Sequence, residues 1–337
     1  MKERKAPTLT DGALILSQLL KNTSYSIKEL ELKTGLDQSA VHEEIAALRE
    51  IGFDIQHHPH RGYYINKLSD VITRDELQAR LPYHTFTNRV QIFRTLDSTN
   101  QFLLREANRS SPPLRHGTTV IAEAQTQGRG RLKRSWESAA NLGLWASFLF
   151  RPDEFHWTFE FYHRLTLIAA VALQRSIQKS TNISTNIKWP NDLLWNDCKV
   201  AGILTETSYQ ANASAFLVLG IGCNINHTKE DFPLELRGQA TSLRLANDNK
   251  PIRRVELLTQ LMKELENCFL QPWPKTLETW RSYCRSIGQR LTIKHQNEEL
   301  HGQMLDINDD GHLILRTDNG KIVTINSGDV TTHTSSL

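Results

Sequence analysis

Between Gln127 and Trp136 the chain runs Gln-Gly-Arg-Gly-Arg-Leu-Lys-Arg-Ser-Trp, which places four cations on a backbone that carries two glycines. Gly128 and Gly130 permit positive φ and let backbone N–H groups come close to a ligand. The arginine forks grip carboxylate or phosphate in a bidentate way, where lysine offers only a point charge. Such a segment suits a loop that closes over an anion, with polyphosphate the first candidate. It is not a P-loop, because no Gly-Lys-Ser/Thr ends the run, and its glycine spacing does not complete the dinucleotide fingerprint. Taken alone, it reads as readily as a solvated basic turn or as a generic basic patch for nucleic acid.

Four more strings stand around it in fixed order. Upstream is Arg94-Thr95-Leu96-Asp97-Ser98-Thr99-Asn100; downstream are Lys188-Trp189-Pro190-Asn191-Asp192, Lys199-Val200-Ala201-Gly202-Ile203-Leu204 and Leu219-Gly220-Ile221-Gly222-Cys223-Asn224-Ile225-Asn226. Each is weak by itself, but together, in order, they form a specific signal. In this order and spacing the chain resembles the biotin protein ligases, in the bacterial form that carries an N-terminal DNA-binding domain and doubles as the biotin operon repressor. The resemblance covers nearly the whole chain.

The resemblance implies a two-step reaction. Biotin carboxylate attacks the α-phosphate of ATP, giving biotinyl-5′-adenylate and pyrophosphate, and a lysine of the biotin carboxyl carrier protein of acetyl-CoA carboxylase then captures the acyl group. Carboxylate and triphosphate repel one another, so positioned cations and Mg²⁺ matter more here than a protein nucleophile. By motif position, Arg129 and Arg131 hold the biotin carboxylate and the phosphates, and Lys199 reaches the reacting carboxylate and α-phosphate. Asp192 joins this catalytic set, as a ligand to Mg²⁺ or as a hydrogen-bonding group that orients the nucleotide. Asn191, Trp136 and Asn224 complete the nucleotide contacts.

Biotin needs an apolar slot with a few polar groups. Ser98 and Thr99 are placed at its ureido end, Asn100 shapes the turn and Gln125 reaches the ring, while Gly128, Gly130, Gly202, Gly220 and Gly222 allow close backbone approach. Plainer roles remain open for each residue. Lys199 also reads as a solvent-facing lysine at a strand end, Ser98-Thr99-Asn100 as a cap before a helix from Gln101 to Ala107, and Trp189-Pro190-Asn191-Asp192 as a structural turn. Trp136 reads as packing for the closed loop, and Gly220-Ile221-Gly222 as an ordinary strand end. One position departs from the family's loop, in which glycine usually stands where this chain has Lys133; lysine stiffens the second half of the loop, and Arg134 is therefore left outside the site.

The chain has 337 residues, enough for two or three domains. Hydrophobic content of 39% and charged content of 23% are ordinary for a globular protein, and no apolar run is long enough to span a membrane. The charged start Met1-Lys2-Glu3-Arg4-Lys5 has no apolar stretch after it, and the four cysteines, Cys198, Cys223, Cys268 and Cys284, lack zinc or disulfide spacing. Both point to a cytoplasmic protein. A net charge of +3 does not by itself declare a nucleic-acid partner.

Residues 1–66 are expected to be a winged helix-turn-helix. Ile27 and Leu30 mark a helix that stops at Gly35; Val41, Ile45, Leu48 and Ile51 mark a second after Asp37-Gln38-Ser39; and Phe53 to Ile65 flank a turn-rich wing at His57-His58-Pro59-His60-Arg61-Gly62. Its second helix carries Asp37, Glu43, Glu44 and Glu50 against Arg49, a poor surface for phosphates. Lys28, Ser39, His42 and Arg61 are the expected DNA contacts. Residues 67–89 read as a linker with one short polar helix. Residues 90–285 read as an α+β catalytic domain on a mixed sheet, with a long helix near 159–180, a strand over Ala215 to Gly220, and helices near 253–270 and 273–285. Residues 286–337 read as an SH3-like barrel with hairpin turns at Asp309-Asp310-Gly311 and Asp318-Asn319-Gly320.

The leading expectation is therefore a bifunctional ligase and repressor that dimerises on biotinyl-AMP and binds biotin-operon operator DNA, with no membrane partner. A ligase whose N-terminal module does not bind DNA is the alternative. A biotin-sensing transcription factor without catalysis is the third, disfavoured by the joint presence of Arg129, Arg131, Asp192 and Lys199.

Overall fold

The computed structural model of the protein describes residues 8–152, 161–210, 213–295 and 298–332. Met1 to Lys5, the first residues of the expected helix near 159–180 and the end of the C-terminal unit lie outside them.

The chain opens with three helices, α1 (Asp11–Leu19), α2 (Ile27–Thr34) and α3 (Gln38–Glu50), and a hairpin of β1 (Asp54–His58) and β2 (Gly62–Lys67). Local signals set these bounds. Ser26 and Glu29 form a reciprocal capping box at the start of α2, Gly35 ends it at φ 75°, and Asp37 caps α3 by accepting from Ala40 N. The stripe Val41, Ile45 and Leu48 closes on Ile15, Leu16, Leu19 and Leu30 in a core of its own. The helix-turn-helix and its wing are thus as expected.

The segment read as a linker carries α4 (Arg74–Arg80), and it is tightly held. Thr10 Oγ1 donates to Asp75 at 2.6 Å and Thr10 N to Gln78 Oε1 at 3.2 Å, which joins α4 to the start of α1. From the other side, Arg253 donates to Ser69 O at 2.8 Å and to Glu76 Oε1 at 2.9 Å. Arg254, 1% exposed, donates to Asp70 O at 2.8 Å and to Glu123 Oε2 at 2.5 Å.

The central domain is a seven-stranded mixed sheet. Its strands are β3 (Val90–Leu96), β4 (Thr119–Gln125), β5 (Gly143–Phe150), β6 (Asn186–Lys188), β7 (Asp192–Trp195), β8 (Cys198–Gln210) and β9 (Ala213–Asn224), in the order β3-β4-β5-β9-β8-β7-β6, with only β3 and β4 parallel. On one face lie α6 (Phe161–Thr181), α8 (Arg254–Leu270) and α9 (Trp273–Tyr283), over Phe148, Phe150, Leu217, Leu219 and Ile221. The short α7 (Leu243–Ala246) lies in the connection before α8. On the other face, α5 (Thr99–Arg109) covers Val120, Leu149, Phe216 and Val218. Because strand side chains alternate, the α5 face continues along β9 as Gly220 and Gly222. These glycines lie inside β9, which runs on to Asn224, and do not end a strand as the apolar run alone suggested.

The C-terminal unit is an antiparallel sheet of β10 (Arg290–His295), β11 (Glu298–Ile307), β12 (Leu313–Thr317), β13 (Ile322–Ile325) and β14 (Asp329–Thr332), in the order β13-β12-β11-β10-β14. Gly311 and Gly320 sit at the two expected turns, with φ 82° and 84°. Trp189 Nε1 donates to Gly311 O at 3.0 Å and so ties the sheet to the catalytic domain.

His227, just beyond β9, is buried between Trp145 and Phe232, and burial pulls its pKa down to about 4, with Asp231 opposing. A folded value below the ordinary imidazole value means that protonation favours the unfolded chain. The stabilising contribution is complete above about pH 6.5 and is lost as pH falls toward 4, by up to about 3 kcal/mol. Urea unfolding near pH 7 and near pH 4.5 should show this loss in the wild type and a smaller loss in His227→Phe; equal losses would exclude His227 as the source.

Candidate active site

The site is built on the α5 face of the sheet, where cross-strand register aligns residues far apart in sequence. Lys188 stands opposite Asp192, Asp192 opposite Gly202, Gly202 opposite Gly222, and Gly222 opposite Trp145. Two adjacent glycines in such a row remove the side chains that would otherwise cover the sheet and leave a notch. A Cβ at Gly222 would lie 2.7 Å from Trp136 Nε1, and one at Gly202 3.2 Å from Lys199 Nζ. Trp136 therefore rests on the floor of the notch, and Lys199 stands at its edge, 5.0 Å from the Trp136 ring centroid. Trp136 Nε1 is buried there without a hydrogen-bond partner among the described residues.

Two residues along the strands lies a second polar row. Ser147 stands opposite Gly220, and Gly220 opposite Leu204. Ser147 Oγ bonds Thr99 Oγ1 at 2.7 Å and Asn100 Oδ1 at 2.6 Å; Gln125 Oε1 accepts from Thr99 N at 2.9 Å and Gln125 Nε2 donates to Ser138 Oγ at 2.8 Å. Ser98 caps α5 while also lining the cavity, as do Thr99 and Asn100, so the cap does not take these residues away from the candidate site. Gly220 makes room for Asn100, since an added Cβ would fall 2.2 Å from Asn100 Oδ1, and it also lines the cavity.

The basic loop is a hairpin. Trp136 N donates to Gly128 O at 2.9 Å and Gly130 N to Arg134 O at 2.8 Å. Neither glycine uses positive φ, contrary to expectation; Gly128 is needed because a Cβ would strike the Trp136 carbonyl at 2.3 Å. Gly128 thus stands behind the cavity, while Gly130 lines it. Positive φ falls instead on Leu132, at 53°, and on Lys133, at 61°. Lys133 occupies a left-handed position that costs a non-glycine residue about 1–2 kcal/mol.

Four cations of the site are held. Arg129 Nη1 lies 3.3 Å from Glu206 Oε1, Lys199 Nζ 2.8 Å from Asp192 Oδ1, and Arg134 pairs with Asp329 of β14. Arg131 Nη1 donates to Asn191 Oδ1 at 3.2 Å and to Gly328 O at 3.4 Å. Burial lowers the Arg131 pKa, opposed by Asp329 and Asp192, and burial lowers that of Lys188 as well, opposed by Asp192. The cavity these residues surround encloses about 130 Å³ and is lined by Ser98, Thr99, Asn100, Gln125, Arg129, Gly130, Arg131, Trp136, Asn191, Asp192, Lys199, Gly202, Gly220 and Gly222, with Arg134 and Asp329 at its C-terminal side.

Of the expected site residues, Gly128 and Asn224 do not line the cavity. Asn224 is buried and donates to Thr241 O at 3.1 Å; Thr241 N in turn donates to Lys199 O at 2.9 Å, so Asn224 steadies the backbone of Lys199 from behind. Arg134, which the departure at Lys133 had excluded, does reach the cavity. Ser147, Lys188, Glu206 and Asp329 were missed. A lone serine in the apolar run of β5 was a usable signal, because buried hydroxyls need partners; Asp329 had none, since it arrives from another domain. For a metal, no group of three or more His, Cys, Asp or Glu side chains occurs among the described residues.

In the helical unit, Lys28, Ser39, His42 and Arg61 are all exposed. The outward face of α3 is less acidic than its composition. Asp37 is spent on the cap, and Glu44 is half-buried, its pKa raised by burial with Asp75 and Asp11 adding. Arg49, however, donates to Ile55 O at 2.8 Å and is tied to the hairpin. No helix among the described residues is long and apolar enough to cross a membrane.

Comparison with known proteins agrees with this arrangement. Residues 92–226 match the biotin/lipoate A/B protein ligase family, residues 286–331 the biotin protein ligase C-terminal domain and residues 13–64 a helix-turn-helix domain. The chain is 32% identical over 327 residues to the bifunctional ligase/repressor BirA of Bacillus subtilis, covering 96% of this chain and 98% of that one. It is also 32% identical over 241 residues to the biotin–[acetyl-CoA-carboxylase] ligase of Mycobacterium tuberculosis, covering 69% of this chain and 85% of that one. A solved biotin protein ligase from Aquifex aeolicus, in complex with biotin and ATP, superposes with a TM-score of 0.61 at 26% identity, over 73% of this chain and 99% of that one. With three family models matched along the chain and a relative 32% identical along almost its whole length, the chain belongs to the family of bifunctional biotin ligase/repressors.

Proposed function

We propose that the protein is an ATP-dependent biotin protein ligase that makes biotinyl-5′-AMP and transfers the biotinyl group to a lysine of the biotin carboxyl carrier protein of acetyl-CoA carboxylase. The observation that carries this reading is the convergence of Lys199, Arg129 and Arg131 on a glycine-floored notch two residues from a polar row suited to a ureido ring. Ser98, Thr99, Asn100 and Gln125 take the ring, and the notch takes the chain. Lys199, Arg129 and Arg131 receive the carboxylate and phosphates, where fixed donors offset the repulsion between two anions and the charge that builds on phosphorus oxygens. Asn191 and Asp192 face the nucleotide. Mg²⁺ fits Asp192, which offers one carboxylate and leaves the remaining coordination to phosphates and water, as this ion commonly requires; it would supply further neutralisation of the phosphates. Trp136 rests on the glycine floor of the notch, so the hairpin from Gln127 to Trp136 must shift to admit the biotin chain and order around it. Transfer of labelled biotin to an isolated carrier domain tests the activity, and absence of both transfer and biotin-dependent pyrophosphate exchange would overturn it.

Gly220→Ala is expected to raise the biotin Kd at least about ten-fold, because the new methyl must displace the buried Asn100 amide and overpacking of this kind costs about 1–3 kcal/mol. Calorimetric titration measures it, and an unchanged Kd would remove Asn100 from the biotin subsite.

The helical unit acts as a biotinyl-AMP-dependent repressor of the biotin biosynthesis operon, through Lys28, Ser39, His42 and Arg61, in a homodimer that doubles the few phosphate contacts of one copy. The restraint of Arg49 favours the second reading, a ligase that does not bind DNA. A shift assay on a palindromic operon fragment, with and without biotin and ATP at two salt concentrations, separates the two. Four cysteines without disulfides accord with a cytoplasmic setting.

A further inference from the structure

Glu206 is not lining the cavity, yet it touches two residues that do. It lies on the α5 face of β8, two positions beyond Leu204 and four beyond Gly202, and is mostly buried. Its Oε1 is 3.3 Å from Arg129 Nη1, and its Oε2 accepts from Asn100 Nδ2 at 2.9 Å. Asn100 is itself fixed, donating also to Leu204 O at 3.2 Å and accepting from Ser147 at 2.6 Å. The carboxylate is thus anchored on a rigid strand before it meets the arginine.

From this geometry we infer that Glu206 is a positioning residue for ligation, bridging the Arg129 guanidinium to the Asn100 amide so that the anion-binding cation stands in register with the ureido subsite. Arg129 needs such a hold. It is carried by a hairpin with two glycines, and an arginine side chain has several freely rotating bonds whose ordering opposes binding. With one edge of the fork taken by Glu206, the remaining donors stay directed at the cavity, and the ordering is complete before substrate arrives. The chain of bonds from Glu206 through Asn100, Ser147, Thr99 and Gln125 ends at Ser138, whose Oγ donates to Trp136 O at 3.1 Å. It therefore leaves the basic loop at Arg129 and returns to it at Trp136, joining both arms of the hairpin through the floor of the biotin subsite.

The inference rests on the ligase reading, and its test separates the two. Glu206→Gln keeps the size of the side chain and an oxygen for the Asn100 amide but abolishes the ion pair. In biotin-dependent ATP–pyrophosphate exchange, its KM for biotin should rise about five- to ten-fold with kcat changed less than about two-fold, the effect expected when the ligand must order a long side chain itself. Biotin Kd, read from tryptophan fluorescence without turnover, should rise to match. In an Arg129→Ala background, Glu206→Gln should change neither value. Unaltered KM and Kd in the single variant would overturn the inference, as would an equal penalty in both backgrounds, which would mean that Glu206 acts by supporting Asn100 alone. Absence of exchange in the wild type would count against the ligase reading, and the Kd comparison would still decide the role of Glu206.

Discussion

Lys199→Ala should slow biotin-dependent pyrophosphate exchange by about 10²-fold or more. The Nζ stands at the edge of the glycine notch, 2.8 Å from Asp192, and is the cation closest to the floor on which the reacting chain must lie. A donor aimed at charge that develops in the transition state is typically worth about this much, and far more than its contribution to holding the ground state. The loss should therefore appear mainly in kcat, with the biotin Kd altered by much less. Arg131→Ala should resemble it, since that guanidinium is buried and held by Asn191 and Gly328 with few ways to be replaced. Exchange at the wild-type rate in both variants would remove the cations from the chemistry, and the site assignment with them.

Arg254→Met should cost about 3–5 kcal/mol of stability, the usual result of leaving one member of a buried ion pair alone. Arg254 is 1% exposed, and the partner carboxylate on Glu123 lies at 2.5 Å within the same interior. The substitution also releases Asp70 O. Urea unfolding measures the loss, and combining Arg254→Met with Glu123→Gln should restore part of it by removing the stranded charge. A loss under about 1 kcal/mol would mean that water reaches the pair. Either result bears on the mounting of the helical unit, because Arg253 and Arg254 grip the segment through which it enters the catalytic domain.

Much of this was legible beforehand, for physical reasons that differ by element. Caps and stops are local: Gly35 and Asp37 announce the end of α2 and the start of α3 because each satisfies backbone groups within four residues of itself. The β-rich run over Ala215 to Gly220 likewise exposed most of β9. What escaped was decided at longer range. The apolar run suggested that β9 closed at Gly220, but pairing with β5 carries it to Asn224, and only that register shows two glycines side by side. Gly128 and Gly130 looked like hinges for positive φ, yet one makes room for a carbonyl and the strained backbone falls on Leu132 and Lys133. Glu206 and Asp329 become site neighbours through strand pairing and domain contact, which no local spacing encodes. On α3 the count of acids misled in the other direction, since Asp37 is engaged in the helix cap and Glu44 is half-buried.

The two polar rows give the sheet a further property, that of a ruler. The row of Ser147, Gly220 and Leu204 and the row of Asp192, Gly202 and Gly222 are offset by two residues along the strands, about 7 Å, while Ser147 and Gly202 are two strands apart, about 10 Å. Backbone hydrogen bonds fix both distances, so neither varies with side-chain rotamers or with the position of the basic hairpin. A molecule whose ring is seated at Thr99 and Gln125 must therefore present its carboxylate at one set distance to meet Lys199. Strand spacing thus sets the separation of the two subsites, and the Lys199 side chain, held by Asp192 at 2.8 Å, spans what remains.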